Sequence, residues 1–284
     1  LLFYATLAFL ALQHWIENGS RSWQVLTGVT AGLALSTKYT ALLILPALVV
    51  ALAVARRQSP GPVTVTLEAA ISDVLRPGVI ALAVWLPWLL KNLLLTGNPT
   101  YPFFLGGVYW DSWRASWFDR PGTGMLHTAP WRLLTAPWDA TIWGVEGAAG
   151  YSATIGPLFL ALLPLLAVVW SSLSPRHHRG LSAALGFCSV LYGFWLWGLA
   201  RTALLRQTRL LFPAFGVLAL VAGATVSSLK QLPSSPLDLG WLTRAIVIAV
   251  LALTALGMVL STVEEQPLRV LLGFESRDDF LTRR

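Results

Sequence analysis

The chain has 284 residues, of which 56% are hydrophobic and only 12% are charged. A soluble domain usually has about 25% charged residues, so this composition excludes an ordinary soluble enzyme. The single cysteine, Cys188, lies in an apolar run and excludes a disulfide scaffold and a cysteine-based zinc site. In a membrane protein the net charge of +7 indicates basic loops that set orientation and meet anionic lipid, so no nucleic-acid partner is predicted.

Apolar runs recur along the whole chain, and most match the ~17–25 residues that cross a bilayer core. They lie at 1–12, 25–55, 78–95, 154–170, 181–200, 210–229 and 245–260. The run at 25–55 is too long for one span, and it contains Lys38, whose burial at mid-membrane would cost roughly 3 kcal/mol. We therefore predict two helices in this run that meet at a polar turn, 36–40, at one membrane face.

The predicted fold is an all-α polytopic integral membrane protein with about eight membrane segments. One multi-helix domain is expected over 1–261, and it includes a long interfacial extracytoplasmic loop at 96–151. An extracytoplasmic C-terminal segment is expected to start at 262–284. Because residue 1 is Leu and the chain opens inside an apolar run, we expect the membrane domain to be truncated at its N-terminus.

Basic residues in short loops predict the orientation. With Arg56, Arg57 and Arg76 in the cytoplasm, the 96–151 loop and the short 201–209 loop face outward. The 201–209 loop nevertheless holds three arginines, more than a translocated loop should have: Arg201, Arg206 and Arg209. An anionic ligand would explain this exception.

The 96–151 loop contains six of the fourteen tryptophans. Trp110, Trp113 and Trp117 recur at helical spacing and predict a helix that lies on the membrane surface. Their rings either anchor the loop only, or also form a groove for a lipid chain or for sugar rings. Both interpretations remain open from the sequence.

The sequence contains no phosphate-binding G-x-x-x-x-G-K-[ST] loop, no H-E-x-x-H string and no G-x-S-x-G string. The sequence predicts no cofactor and no metal site. Binding of a divalent metal stays an open alternative. None of the thirteen acids lies inside an apolar run, so an acid-lined proton path gains no support. Asp111 and Asp119, in the outward loop, are weak candidates for acid catalysis and equally suit ordinary solvated or ion-paired loop acids.

Three polar stretches follow or precede apolar runs. Lys38 either pairs with a phosphate or extends to the membrane surface. The Gly-Asn-Pro string at 97–99 is a helix stop that brings Tyr101 to the interface. Arg206 and Arg209 precede a membrane helix, where free N–H groups favour an anion and guanidinium groups suit phosphate oxygens.

These stretches resemble a known family, the polyprenyl-phosphate-sugar-dependent glycosyltransferases of the GT-C superfamily. Its members include protein O-mannosyltransferases and the lipid A aminoarabinose transferase. The family strings "GLxLGTKYT", "PWLxRNxxxTGNPVYPF" and "RYLLPALPxLALLAG" are similar to residues 32–40, 87–103 and 209–223. Residues 273–281 resemble the segment that enters the family's last extracytoplasmic part.

The resemblance implies a multi-pass enzyme of the bacterial cytoplasmic (inner) membrane. It would transfer a hexosyl or mannosyl-like sugar from a polyprenyl-phosphate carrier to a glycan, lipid or protein acceptor on the extracytoplasmic side. The family's catalytic acid lies in its first extracytoplasmic loop, which would precede Leu1, so the identity of the catalytic base stays unknown.

The resemblance also implies roles for particular residues. Lys38, Arg206 and Arg209, with Arg201 beside them, would bind the donor phosphate. A substrate groove is predicted at Tyr39, Lys91, Asn92, Asn98, Tyr101, Trp110, Trp113 and Trp117.

Three other functions remain open. A membrane polymerase or ligase of polysaccharide also uses lipid-phosphate donors and outward arginines. A non-catalytic membrane scaffold would need no catalytic acid. A transporter is disfavoured because the apolar runs contain no acids and form no paired repeats.

Overall fold

The computed structural model describes residues 1–58, 67–103, 105–108, 110–118, 122–144, 151, 154–229 and 238–283. The structure is 83% helix, and no strand occurs in these described ranges. The chain forms two compact units, residues 1–225 and residues 226–284. The all-helical class predicted from the sequence is confirmed.

Thirteen α-helices are assigned in the described residues. In chain order they are α1 (Leu2–Asn18), α2 (Arg21–Thr37), α3 (Ile44–Arg57), α4 (Leu67–Thr96), α5 (Ser112–Phe118), α6 (Met125–Thr128), α7 (Arg132–Ile142), α8 (Pro157–Val169), α9 (Pro175–Arg201), α10 (Phe212–Ser228), α11 (Leu239–Glu265), α12 (Pro267–Leu271) and α13 (Arg277–Arg283). Short 3₁₀ turns precede α3 and α10, at Tyr39–Leu43 and Thr208–Leu211.

Five helical segments of the described chain are long and apolar enough to cross a membrane. They are Tyr39–Arg57, Ile71–Thr96, Pro175–Arg201, Thr208–Ser228 and Leu239–Glu264. The helical segment Pro157–Ser172 is apolar but shorter, and α1 and α2 have 17 residues each. The chain is therefore an α-helical membrane protein, while the count of about eight spans stays a prediction.

The long apolar run at 25–55 is interrupted where the sequence predicts. Helix α2 ends at Thr37, and Lys38 is extended, with φ −164° and ψ 140°. A 3₁₀ turn from Tyr39 to Leu43 then leads into α3. The Thr37 hydroxyl donates to the Ala34 carbonyl at 2.7 Å, a local bond of the kind by which threonine competes with helical pairing.

Helices α2 and α4 approach closely enough for their backbones to touch. A Cβ atom on Gly28 would lie 2.7 Å from the Pro77 carbonyl oxygen, and one on Gly32 would lie 2.6 Å from the Ala81 carbonyl oxygen. Small residues four apart permit such approach between membrane helices. Because both positions advance by four residues, the two helices run in the same direction with a fixed register.

This parallel packing separates the polar residues into two groups at opposite ends of α2. The Lys38 end contains Lys38 and the neighbouring Tyr39, which contacts the last turns of α4 and the loop that follows. The Arg21 end contains Arg21 and the first turns of α4. With 17 residues at about 1.5 Å each, α2 separates the two ends by about 25 Å. Which end faces the cytoplasm stays a prediction.

Two ion pairs join helices at the Arg21 end. Arg56 of α3 pairs with Asp73 of α4. Arg176 of α9 binds both carboxylate oxygens of Glu17 at 2.8 and 3.0 Å, the bidentate geometry that a guanidinium favours.

The helix that contains the 78–95 apolar run is longer than the run itself. The apolar run starts at 78, but the helix starts at Leu67, and the candidate span Ile71–Thr96 therefore contains Asp73. The helix continues through Pro77, which removes only the hydrogen bond that its nitrogen would donate to residue 73. The pairing of Asp73 with Arg56 explains how an acid is tolerated in this span.

The second compact unit is dominated by α11. The Asp238 side chain caps its first turn by accepting from the Trp241 backbone N–H at 2.8 Å. The helix ends at Glu265, and the capping residue Gln266 has a positive φ of 50°. Large apolar side chains are exposed around α11, as a lipid-facing helix requires. The predicted boundary at 261/262 stays a prediction.

We predict that Gly32→Ala lowers the free energy of unfolding by about 1–3 kcal/mol, because the new methyl group meets the α4 backbone. The matched control is Gly78→Ala, since a Cβ at Gly78 meets nothing within 4 Å. It should leave stability unchanged or raise it by about 0.5–1 kcal/mol. Unfolding in detergent micelles measures both, and equal losses would contradict the close α2–α4 packing.

Candidate functional site

At the Lys38 end, a hydrogen bond joins the turn after α2 to the end of α4. The Asn92 amide nitrogen donates to the Tyr39 hydroxyl at 2.8 Å and, more weakly, to the Pro99 carbonyl at 3.3 Å. The Tyr39 ring packs edge-on against Phe103 and Trp85, with centroid distances of 5.3 and 6.2 Å. Two predicted groove residues, Tyr39 and Asn92, are thus in direct contact.

Asn98 organises the loop after α4. Its side chain is 1% exposed, and its amide nitrogen donates to the carbonyls of Phe103 at 2.9 Å and Gly106 at 2.6 Å. Its side-chain oxygen accepts from the backbone N–H and the hydroxyl of Thr100 at 2.9 and 3.1 Å. These four bonds use the capacity of the amide, so Asn98 acts on any substrate through the shape of the loop.

The remaining predicted groove residues lie around this loop. The Tyr101 ring packs on Gly107, where a Cβ would come within 2.4 Å of it, and meets Trp110 edge-on at 6.5 Å. The Lys91 ammonium lies 4.1 Å from the centroid of the Trp88 ring, a cation–π contact.

The surface helix predicted from the tryptophan spacing is present but short. Helix α5 contains Trp113, which is exposed, and Trp117, and it begins two residues after Trp110. Asp111 accepts from the Arg114 backbone N–H at 2.7 Å and lies 3.5 Å from its guanidinium, so it caps this helix. Asp119 lies outside the described residues.

Lys38 and Arg209 are close enough for their charges to interact. Burial lowers the pKa of the Lys38 ammonium, and the positive charge of Arg209 lowers the pKa further. The Arg209 guanidinium donates to the Gln207 side-chain oxygen at 2.7 Å. Within the described part of the chain, neither cation forms an ion pair with a carboxylate. An anion bound between them would relieve their repulsion.

A cavity of about 290 Å³ adjoins the 201–209 loop. Its wall contains two cations, one carboxylate and three aromatic rings, contributed by Arg132, Arg206, Asp139, Trp131, Trp143 and Tyr151. It belongs to the Lys38 end, because Arg206 is three residues from Arg209, which interacts with Lys38. A wall of aromatic faces with a few charged groups suits a small polar ligand such as a sugar.

Two polar groups of the cavity are held in place. The Thr135 hydroxyl donates to the Asp139 carboxylate at 3.1 Å along α7. The Tyr151 ring packs against Trp195 with a centroid distance of 6.4 Å, and its hydroxyl is buried without a hydrogen-bond partner among the described residues. Burial raises the pKa of Tyr151, Asp139 raises it further, and Arg206 and Arg132 oppose that shift. Tyr151 is therefore a neutral O–H donor at neutral pH.

Close backbone packing positions the 201–209 loop. A Cβ on Gly124 would lie 2.2 Å from the Ala200 carbonyl oxygen, so the segment before α6 rests directly on the end of α9. The Thr123 hydroxyl accepts from the Ala203 backbone N–H at 3.1 Å. These contacts hold α6 and the start of the 201–209 loop together.

The structure separates the three arginines that the sequence groups together. Arg206 lines the cavity, Arg209 interacts with Lys38, and Arg201 is exposed at the end of α9. The sequence prediction did not identify Arg132, Asp139 or Tyr151 as site residues. The dense tryptophans around α7 were the available signal for them.

Among the described residues, no group of three or more His, Cys, Asp or Glu side chains could hold a metal ion.

Comparison with known proteins finds no match to this chain. No protein-family model matches the chain, and no curated protein and no solved structure matches it either.

Proposed function

We propose that this chain belongs to a membrane glycosyltransferase that moves a sugar from a polyprenyl-phosphate carrier to an acceptor. One observation favours this function over the alternative functions. The cavity at the Lys38 end combines arginine, carboxylate and tryptophan side chains next to a second pair of cations, Lys38 and Arg209. A lipid-linked sugar needs both kinds of surface, one for the ring and one for the phosphate.

The phosphate of the donor would lie at the cations. Lys38 follows α2 directly and precedes the candidate span that begins at Tyr39, so its ammonium is at the depth of a lipid headgroup. When the bond to the sugar breaks, negative charge develops on the departing phosphate. Fixed cations stabilise that charge without reorganising, which is how preorganised electrostatics lowers a barrier.

The sugar ring would lie in the cavity. Trp131 and Trp143 offer flat apolar faces, and the charged groups of Asp139 and Arg132 can hydrogen-bond to hydroxyl groups. The volume of about 290 Å³ lies just below the range of small-molecule pockets, about 300–1,000 Å³. This size favours transfer of a single sugar over the polymerase or ligase alternative, in which a long glycan must also bind.

The location and partners complete the proposal. The five apolar helices embed the protein in a membrane. We place it in the bacterial inner membrane with the Lys38 end outward, where a glycan, lipid or protein would accept the sugar. We assign Asp139 to orienting the sugar, and we name no catalytic base within this chain.

We predict that Arg206→Ala and Arg209→Ala each reduce sugar transfer by the full-length protein by about 10²–10³-fold, because Arg209 would contact the phosphate and Arg206 would add a second fixed positive charge where the sugar cavity meets it. Transfer from a synthetic polyprenyl-phosphate sugar in proteoliposomes measures the loss. The matched control is Arg57→Ala, since Arg57 is an exposed arginine at the last turn of α3. Near-normal turnover by both variants, with normal folding and insertion, would refute the phosphate role.

A second pair of variants tests the sugar cavity. Trp131 and Trp138 are 62% and 60% exposed, but of these two only Trp131 lines the cavity. Trp131→Ala should raise the donor KM about five-fold, since stacking contributes about 1 kcal/mol. Trp138→Ala should leave KM unchanged. Equal effects of the two variants would show that the rings only anchor the loop at the membrane.

A further inference from the structure

A second cavity, an open groove lined mostly by apolar side chains, lies at the Arg21 end between the first turns of α2 and α4, and its two arginines, Arg21 and Arg76, are exposed. Its volume is about 470 Å³, larger than that of the cavity at the Lys38 end. Two arginines and one amide line it together with apolar side chains, and the polar members are Arg21, Arg76 and Gln24. None of the described residues that line it is acidic.

Gln24 indicates that this cavity accepts a hydrogen-bonding ligand. Its side chain is 5% exposed, and its amide nitrogen is fully buried without a hydrogen-bond partner among the described residues. A buried donor without an acceptor costs about 1–3 kcal/mol in general, so such donors normally meet an oxygen. Gln24 also lines the cavity, so a rotation of its side chain would bring this amide to a ligand oxygen there.

The start of α2 adds a second attraction for an anion. Ser20 precedes the helix without a side-chain capping bond, so the first N–H groups of α2 are not capped by it. Such N–H groups and the helix dipole favour negative charge. Arg21 is the first residue of this helix and brings its own positive charge to the same place.

The arginines at the Arg21 end differ in whether they form an ion pair with a carboxylate. Arg56 and Arg176, at the same end, are each paired with a carboxylate. Arg21 and Arg76 form no ion pair within the described ranges. No carboxylate within the described ranges therefore compensates the charge of the two cations that line the cavity.

An apolar cavity of about 290 Å³ lies beside this groove. Leu75 and Val79 of α4 line both cavities, and the apolar one extends to Leu12, Leu48 and Leu52 on α1 and α3. Anionic lipid headgroups are held by basic pockets between membrane helices, with their chains on apolar surface. A free phosphate ion would gain nothing from this apolar surface.

We propose that Arg21, Arg76 and Gln24 bind the headgroup phosphate of an anionic phospholipid, at the end of α2 opposite to Lys38. The distance of about 25 Å along α2 makes this site separate from the donor-phosphate site. The proposal does not depend on sugar transfer, because it is a binding site with its own residues.

Native mass spectrometry of the purified protein in detergent tests this site. Phosphatidylglycerol is titrated against phosphatidylcholine with the same chains, and glycerol phosphate serves as the chain-free phosphate. Wild-type protein should retain phosphatidylglycerol selectively. The double variant Arg21→Gln/Arg76→Gln should weaken its binding about thirty-fold, because each arginine near a lipid phosphate contributes about five-fold.

Two further variants separate a built site from surface charge. Arg57→Gln removes an exposed arginine at the same end and should leave the affinity within about two-fold of wild type. Val25→Trp keeps both arginines but fills the cavity that Val25 lines, and it should also lose selective binding. This variant decides the question if the double variant does not fold.

Three results would overturn the proposal. The first is wild-type affinity for phosphatidylglycerol in both the double variant and Val25→Trp. The second is an equal loss of that affinity in Arg57→Gln and in the double variant. The third is that glycerol phosphate binds as tightly as the lipid.

Discussion

The backbone contact between α2 and α4 is the constraint on which both polar ends depend. Gly28 and Gly32 allow the two helices to touch and run in the same direction. The resulting register brings Tyr39 to Asn92 at one end and Arg21 beside Arg76 at the other. A slip of one helical turn, about 5.4 Å, would separate both pairs at once. The geometry of both proposed sites is therefore tied to two glycines, Gly28 and Gly32.

The net charge of +7 has a structural explanation in this arrangement. Some cations, such as Arg56 and Arg176, are used by the fold in ion pairs between helices. Others are held near one another or in a cavity wall, as Lys38, Arg209 and Arg206 are. Keeping like charges together is unfavourable unless an anion binds, so this placement supports the proposed ligands of opposite charge. A lipid phosphate meets that requirement at a membrane surface.

Hydropathy and the cost of a buried charge were sufficient to predict much of the fold. The break at Lys38 followed from the cost of a lysine at mid-membrane, and the structure confirms it with the end of α2 at Thr37. The start of α4 was not predictable in the same way, because Asp73 and Pro77 look like a boundary in the sequence. The helix continues through both residues, and Asp73 is paired with Arg56 on a different helix.

The candidate site was predictable only in part. The sequence identified Lys38, Arg206 and Arg209 as unusual cations, but their distribution depends on the 3₁₀ turn Thr208–Leu211, which has no clear sequence signature. The cavity residues Asp139 and Tyr151 come from separate segments that meet only in the folded chain. Short amphipathic helices such as α7 carry too little periodicity to show which side chains face a cavity.

A cryo-EM map of the full-length protein in nanodiscs with a short polyprenyl phosphate tests the central claim most directly. The account predicts phosphate density at the Lys38 end, within hydrogen-bonding distance, about 3 Å, of the Lys38 ammonium or of the Arg206 or Arg209 guanidinium. Ordered phosphate elsewhere on the protein, with none of these three groups in contact with it at saturating ligand, would contradict the account.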